Sequence, residues 1–203
     1  MITFMSNMIC VTNRRLCNIE FLDQVEKIMK AKPAAVLLRE KDLQEEEYKE
    51  LAKAVLEMEK TYHTPCILHT FYKTAKELKA KSIHLPMRIL RSLSKEEREE
   101  FKILGSSCHS VEEAMEAEKL GCTYIFAGHV FATDCKKGLE PRGLTFLQEV
   151  CQSVKIPVYG IGGISPENIR EVEEAGAKGG CIMSSAMKAE DVTAYLEEFE
   201  HGI

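Results

Sequence analysis

The chain has 203 residues, 45% of them hydrophobic and 29% charged, with a formal net charge of -5. That balance excludes an intrinsically disordered chain, and no apolar run approaches the ~20 residues that a membrane-crossing helix needs. The mild acidic excess provides no basic stripe to replace phosphate counterions, which argues against nucleic acid as a partner.

In chain order, short apolar runs alternate with amphipathic segments. The runs fall at 8–12, 35–39, 66–68, 82–85, 102–106, 124–127, 157–160 and 180–183. They lack polar alternation, as parallel strands covered on both faces do. Between them, 44–60 predicts a helix whose Tyr48, Leu51, Ala52, Val55 and Leu56 form one apolar stripe. Ser94 with Glu97, and Ser110 with Glu113, have capping-box spacing, and Gly121 is placed to end the helix after Ser110. The mixed charges of Lys95-Glu96-Glu97-Arg98-Glu99-Glu100 mark a solvated helix face. Ser165-Pro166 predicts an N-cap and first helical position, with Gly176 at the far end. Eight such units of about 25 residues predict one α/β domain over 1–203, a (β/α)8 TIM barrel with a parallel sheet. A doubly wound open sheet is the structural rival.

The eight cysteines (Cys10, Cys17, Cys66, Cys108, Cys122, Cys135, Cys151 and Cys181) are scattered, with no Cys-x-x-Cys pair. Several, such as Cys10 and Cys181, sit inside apolar runs and read as reduced core residues, and a cytoplasmic location is expected. No basic residue precedes Arg14, so no signal peptide is expected. Outer barrel helices can carry a homo-oligomer interface, which composition does not decide.

Barrels often bind phosphate with the loops after strands seven and eight. Here Gly160-Ile161-Gly162-Gly163-Ile164-Ser165-Pro166 and Met183-Ser184-Ser185-Ala186 occupy those places. Gly163 is expected to let backbone amides approach the anion, and Ser184 to add a hydroxyl.

Catalysis in barrels sits at the carboxyl ends of strands. After strand two stand Arg39, Glu40 and Lys41, and after strand six comes a polar loop beginning Gly128-His129. Histidine titrates near neutrality, which suits proton transfer. By position, His63 and His201 read as surface residues and His84 as a structural strand residue. His69 and His109 read as ligand contacts, and His129 as the acid/base candidate. Cys135 is a rival nucleophile or proton carrier. No His-Glu-x-x-His or clustered Cys/His spacing suggests zinc.

Leu37-Leu38-Arg39-Glu40-Lys41, Gly105-Ser106-Ser107-Cys108-His109-Ser110, Gly160-Ile161-Gly162-Gly163-Ile164 and Ser184 fall at the motif positions of one family. On these, the chain resembles the thiamine-phosphate synthases over nearly its whole length. The resemblance implies a synthase that joins a pyrimidine diphosphate to a thiazole phosphate on aspartate-held magnesium. Yet where synthases carry Asn-Asp-Arg after strand three, this chain has His69-Thr70-Phe71. Where they carry Gly-Gln-(acid)-Asp after strand four, it has Pro86-Met87-Arg88-Ile89, with a cation, Arg88, near a lost carboxylate. Leu37 replaces the Gln that opens their strand-two motif.

The run Gly128-His129-Val130-Phe131-Ala132-Thr133-Asp134-Cys135-Lys136-Lys137-Gly138 is similar to the TenI-type thiazole tautomerase branch. That branch implies isomerisation of the non-aromatic thiazole phosphate carboxylate to its aromatic tautomer, without metal or cofactor. His129 would then shuttle the proton. The implied substrate contacts are Arg39, Lys41, Ser107, Thr133, Asp134, Cys135, Lys136, Gly163, Met183 and Ser184. The loop 133–136 would cover the thiazole, and Arg39, Lys41 and Lys136 would steady the carboxylate instead of a diphosphate. The alternatives are an active synthase and a non-catalytic, ligand-sensing regulatory barrel.

Overall fold

A computed structural model of the protein describes residues 7–133, 136 and 138–201. Eight parallel strands close into a barrel in chain order. They are β1 (Met8–Val11), β2 (Ala35–Leu38), β3 (Cys66–His69), β4 (Ser82–Pro86), β5 (Ile103–Cys108), β6 (Tyr124–Gly128), β7 (Val158–Ile161) and β8 (Gly179–Ile182). Closure is made by β8 against β1, with Ile9 opposite Cys181 on one side and Ala35 on the other. The open-sheet rival is thereby excluded, and each predicted apolar run overlaps one strand.

The uninterrupted apolar character of the runs follows from two separate cores. Ile9, Val11, Ala35, Leu37, Ile67, Tyr124, Phe126 and Cys181 pack inside the barrel. Their strand neighbours Met8, Cys10, Val36, Leu38 and Leu68 face outward into the layer beneath the helices. Both faces of each strand are therefore dry, as parallel sheets require. Burial pushes the Cys10 thiol up to about 12, so it serves as a core residue. The described cysteines are free thiols.

The covering helices are α1 (Phe21–Lys30), α2 (Glu45–Tyr62), α3 (Tyr72–Glu77), α4 (Met87–Ser92), α5 (Lys95–Glu99), α6 (Val111–Lys119), α7 (Gly143–Ser153), α8 (Ile169–Glu174), α9 (Ser184–Lys188) and α10 (Val192–His201). In α2 the predicted stripe is the inner face: Tyr48, Ala52 and Val55 are buried, flanked by Leu51 and Leu56. Its N-terminus is closed by a reciprocal box between Gln44 and Glu47, and α5 opens on the predicted Ser94–Glu97 box.

Two start signals act differently from the expectation. Ser110 Oγ accepts the Glu113 N–H at 3.2 Å, but the Glu113 carboxylate accepts the His109 N–H at 2.7 Å. The box before α6 is thus displaced by one residue. Ser165-Pro166 opens a turn rather than a helix, and α8 begins at Ile169, whose N–H bonds the Ser165 carbonyl at 3.1 Å. Asn168 organises that turn: its Oδ1 accepts the Ser165 N–H and its Nδ2 donates to the Gly163 carbonyl. No helix among the described residues is long and apolar enough to cross a membrane.

Candidate active site

The carboxyl ends of the strands surround a cavity of about 400 Å3. Arg39 and Lys41 enter it from beyond β2, His69 from the end of β3, and His84 from within β4. Ser107 and His109 come from β5 and just beyond it, and His129, Thr133 and Lys136 from the segment after β6. Gly162 and Gly163 follow β7, and Met183 and Ser184 follow β8. The predicted site residues are thus brought to one cavity from positions spread over the whole chain. Asp134 and Cys135 lie outside the described residues.

His129 is held on a rigid frame. The β6–β7 ladder continues past the strand ends, with Val130 N–H donating to Ile161 O at 2.9 Å and Phe131 N–H to Gly162 O at 3.0 Å. On the other side Arg142 N–H donates to the His129 carbonyl and Gly143 N–H to that of Val130, both at 3.0 Å. The His129 residue is 5% exposed and its Nε2 lies 3.4 Å from the Leu139 carbonyl. A carbonyl only accepts, so Nε2 is the donor in this long contact.

The glycine pair lines the cavity and also has a packing role. Gly162 has φ +99, and a Cβ there would overlap the His129 Cβ. Gly163 has φ +67, and a Cβ would come within 2.6 Å of Ala132 O and 2.7 Å of Phe131 Cβ. Both glycines therefore let the β7 turn press against the His129 segment, as well as lining the cavity.

The cavity lining is basic, with Arg39, Lys41 and Lys136. Partial burial, then repulsion from Arg39 and Lys136, lowers the pKa of Lys41. Burial, then Arg142, lowers that of Lys136. Behind them His69 and His84 stack with ring centroids 6.0 Å apart. His84 is fully buried, as the structural reading of a strand histidine expects, yet its ring also reaches the cavity wall. Burial, then the charges of Arg39 and Lys41, holds the His84 pKa down to about 3. Burial, then His84, Arg39 and Lys41, holds His69 lower still.

Both imidazoles are neutral in the folded protein near pH 6 and take up protons on unfolding. The unfolded chain binds the extra protons below its ordinary pKa of about 6.5. The stabilisation is therefore complete above that pH and falls as pH drops, by about 1.4 kcal/mol per unit for each histidine. Urea unfolding at about pH 7 and about pH 5.5 should differ by roughly 2–3 kcal/mol. Equal stability at the two values would contradict neutral burial of the pair.

Among the described residues, Glu113 is the carboxylate that lines the cavity. Glu40, adjacent to two cavity cations in sequence, does not line the cavity. It is 2% exposed and accepts from Thr12 Oγ1 at 2.7 Å and from the Arg14 N–H at 3.0 Å, tying the segment after β1 to that after β2. Sequence reasoning placed Glu40 beside the site; the hydroxyl at Thr12 was the signal for its structural role. Glu113 does line the cavity, its Oε2 engaged by the His109 N–H. Arg88 is exposed on α4 and does not line the cavity, so the expected cation near a lost carboxylate is displaced outward. The positions beside it are filled by Pro86 and Met87. Magnesium takes carboxylate, phosphate and water oxygens in octahedral geometry. Imidazole, thioether and proline at the ends of β3 and β4 do not make that donor set, and no group of three His, Cys, Asp or Glu among the described residues could hold a metal.

A sequence profile of the family described as thiamine monophosphate synthase matches residues 8–186. "Thiamine-phosphate synthase 2" of Streptococcus pneumoniae is 34% identical over 195 residues, covering 93% of this chain and 91% of that protein. "Thiamine-phosphate synthase" of Syntrophomonas wolfei is 35% identical over 189 residues, covering 90% and 88%. Among solved structures, the thiamine phosphate pyrophosphorylase of Pyrococcus furiosus superposes with a TM-score of 0.82 at 33% identity, covering 96% of this chain and 93% of that one.

Proposed function

The chain belongs to the thiamine monophosphate synthase family, and we propose that within it the protein is a thiazole tautomerase. The observation that carries this reading is the content of the cavity. It gathers a backbone-clamped His129, the cations Arg39, Lys41 and Lys136, and the Gly163 and Ser184 loops, without carboxylates where synthases carry them. The relatives cited above bear the synthase name, so the tautomerase assignment rests on the site alone.

The proton ledger suits one imidazole. The C2–H bond of the non-aromatic thiazole breaks and its electron pair enters the ring. The double bond to the exocyclic carbon shifts inward, and a proton adds to that carbon. The product is an aromatic isomer of the same composition, so no oxidant, metal or co-substrate is consumed. His129 accepts at one carbon and donates at the other. Backbone amides near Gly163 and the Ser184 hydroxyl hold the phosphate, and Met183 packs beside them. Arg39, Lys41 and Lys136 face the substrate carboxylate, and Ser107 and Thr133 add hydroxyl contacts.

The relatives' names favour a second reading, a thiamine-phosphate synthase. Mixing the protein with pyrimidine diphosphate, thiazole phosphate and magnesium separates the two. Thiamine phosphate should not form at an ordinary enzymatic rate, on the order of 1 per second. Turnover at that rate would establish the synthase and remove the tautomerase assignment.

A further inference from the structure

We propose that Tyr124, His84 and Ser107 form a directed chain of hydrogen bonds that fixes the Ser107 hydroxyl as a donor to the ligand, making Tyr124 and His84 positioning residues. The proposal rests on the cavity being the substrate site, but not on which reaction occurs there.

The chain spans the barrel interior. Tyr124 OH lies 2.9 Å from His84 Nδ1, and His84 Nε2 lies 2.8 Å from Ser107 Oγ, which reaches the cavity. Its direction follows from counting hydrogens. The Tyr124 hydroxyl is buried, and His84 is its hydrogen-bond partner. If His84 Nδ1 donated, the phenol hydrogen would be buried without an acceptor, a costly arrangement. The phenol therefore donates to Nδ1, and a neutral imidazole must then carry its hydrogen on Nε2. That hydrogen goes to Ser107 Oγ. The serine's own hydrogen cannot return to His84, so it is left for an acceptor in the cavity.

Packing holds the chain in register. Tyr124 sits opposite Gly105 across the β5–β6 ladder, where any Cβ would overlap the phenol ring. Phe126 lies against His84 with centroids 4.3 Å apart. A bare backbone at Gly105 is thus what admits a tyrosine to the barrel interior at this height.

The direct test is the His84 tautomer in the ligand-free full chain, read from ring nitrogen shifts after 15N-histidine labelling. The expected result is protonated Nε2 and unprotonated Nδ1, and the opposite tautomer would overturn the proposal. Tyr124→Phe keeps the ring and removes the hydroxyl, so His84 should redistribute toward the other tautomer. With the non-aromatic thiazole phosphate carboxylate as substrate, Ser107→Ala should raise KM about 3- to 10-fold with kcat little changed. Tyr124→Phe should raise it by a smaller factor, and should have no further effect in the Ser107→Ala background. An equal loss in both backgrounds would mean that the phenol only packs. Absence of turnover would sink the tautomerase reading while leaving the tautomer measurement to decide this one.

Discussion

Replacing His129 with Asn is expected to lower kcat on the thiazole phosphate carboxylate by about 100- to 10,000-fold, the usual worth of general acid–base catalysis. Asparagine keeps approximate size and a donor for the Leu139 carbonyl, but offers no nitrogen that can be protonated and deprotonated near neutrality. The segment carrying it is fastened by four backbone bonds to Ile161, Gly162, Arg142 and Gly143. The substitution should therefore leave the frame in place. KM should change little, since the Gly163 and Ser184 loops and the basic wall are untouched. Cys135→Ser, on the same loop but outside the described residues, tests the rival carrier. A near-normal rate for His129→Asn with collapse of Cys135→Ser would transfer the chemistry to the thiol.

Gly162→Ala, next to the site, should be strongly destabilising. A Cβ at φ +99 meets the left-handed penalty of about 1–2 kcal/mol. It would also overlap the His129 Cβ and lie 2.9 Å from its Cα, adding overpacking of about 1–3 kcal/mol. Together these predict a loss of roughly 2–5 kcal/mol in denaturant unfolding, accompanied by a fall in kcat as His129 is pushed aside. Gly121→Ala is the matched control. It has φ +93 but nothing within 4 Å of the added carbon, so it should lose only the backbone component and retain activity. Equal effects at the two glycines would contradict the close approach of the β7 turn to the His129 segment.

The barrel was legible because its strands are buried on both faces, which leaves a mark in the sequence: eight short apolar runs with no polar alternation. Boundaries moved where polar groups are satisfied internally. β5 extends to Cys108 because Ser106 donates to the Leu85 carbonyl and Ser107 meets His84, so hydroxyls continue a strand that hydropathy ends early. The delayed start of α8 came from Asn168, whose two bonds stabilise a turn that Ser165-Pro166 alone does not reveal.

Cavity membership was legible from position after each strand and from the family motifs. Direction was not. Glu40 turns toward Thr12 and Arg14, and Arg88 turns to solvent, although both adjoin residues that line the cavity. The pairing of His84 with Tyr124 and Ser107 spans 40 and 23 residues, and exists only once the barrel has closed. Likewise the glycine pair announced a turn, but not that the turn would press on His129.

The central claim is tested most directly by incubating the purified protein with the non-aromatic thiazole phosphate carboxylate in deuterium oxide, without metal, and following the ring by NMR. Catalysed aromatisation is expected, with the C2 proton lost from the ring and hydrogen gained at the exocyclic carbon, deuterium entering there to the extent that the His129 imidazole exchanges with solvent between the two transfers. Conversion no faster than in protein-free solution, with the substrate shown to bind, would contradict it.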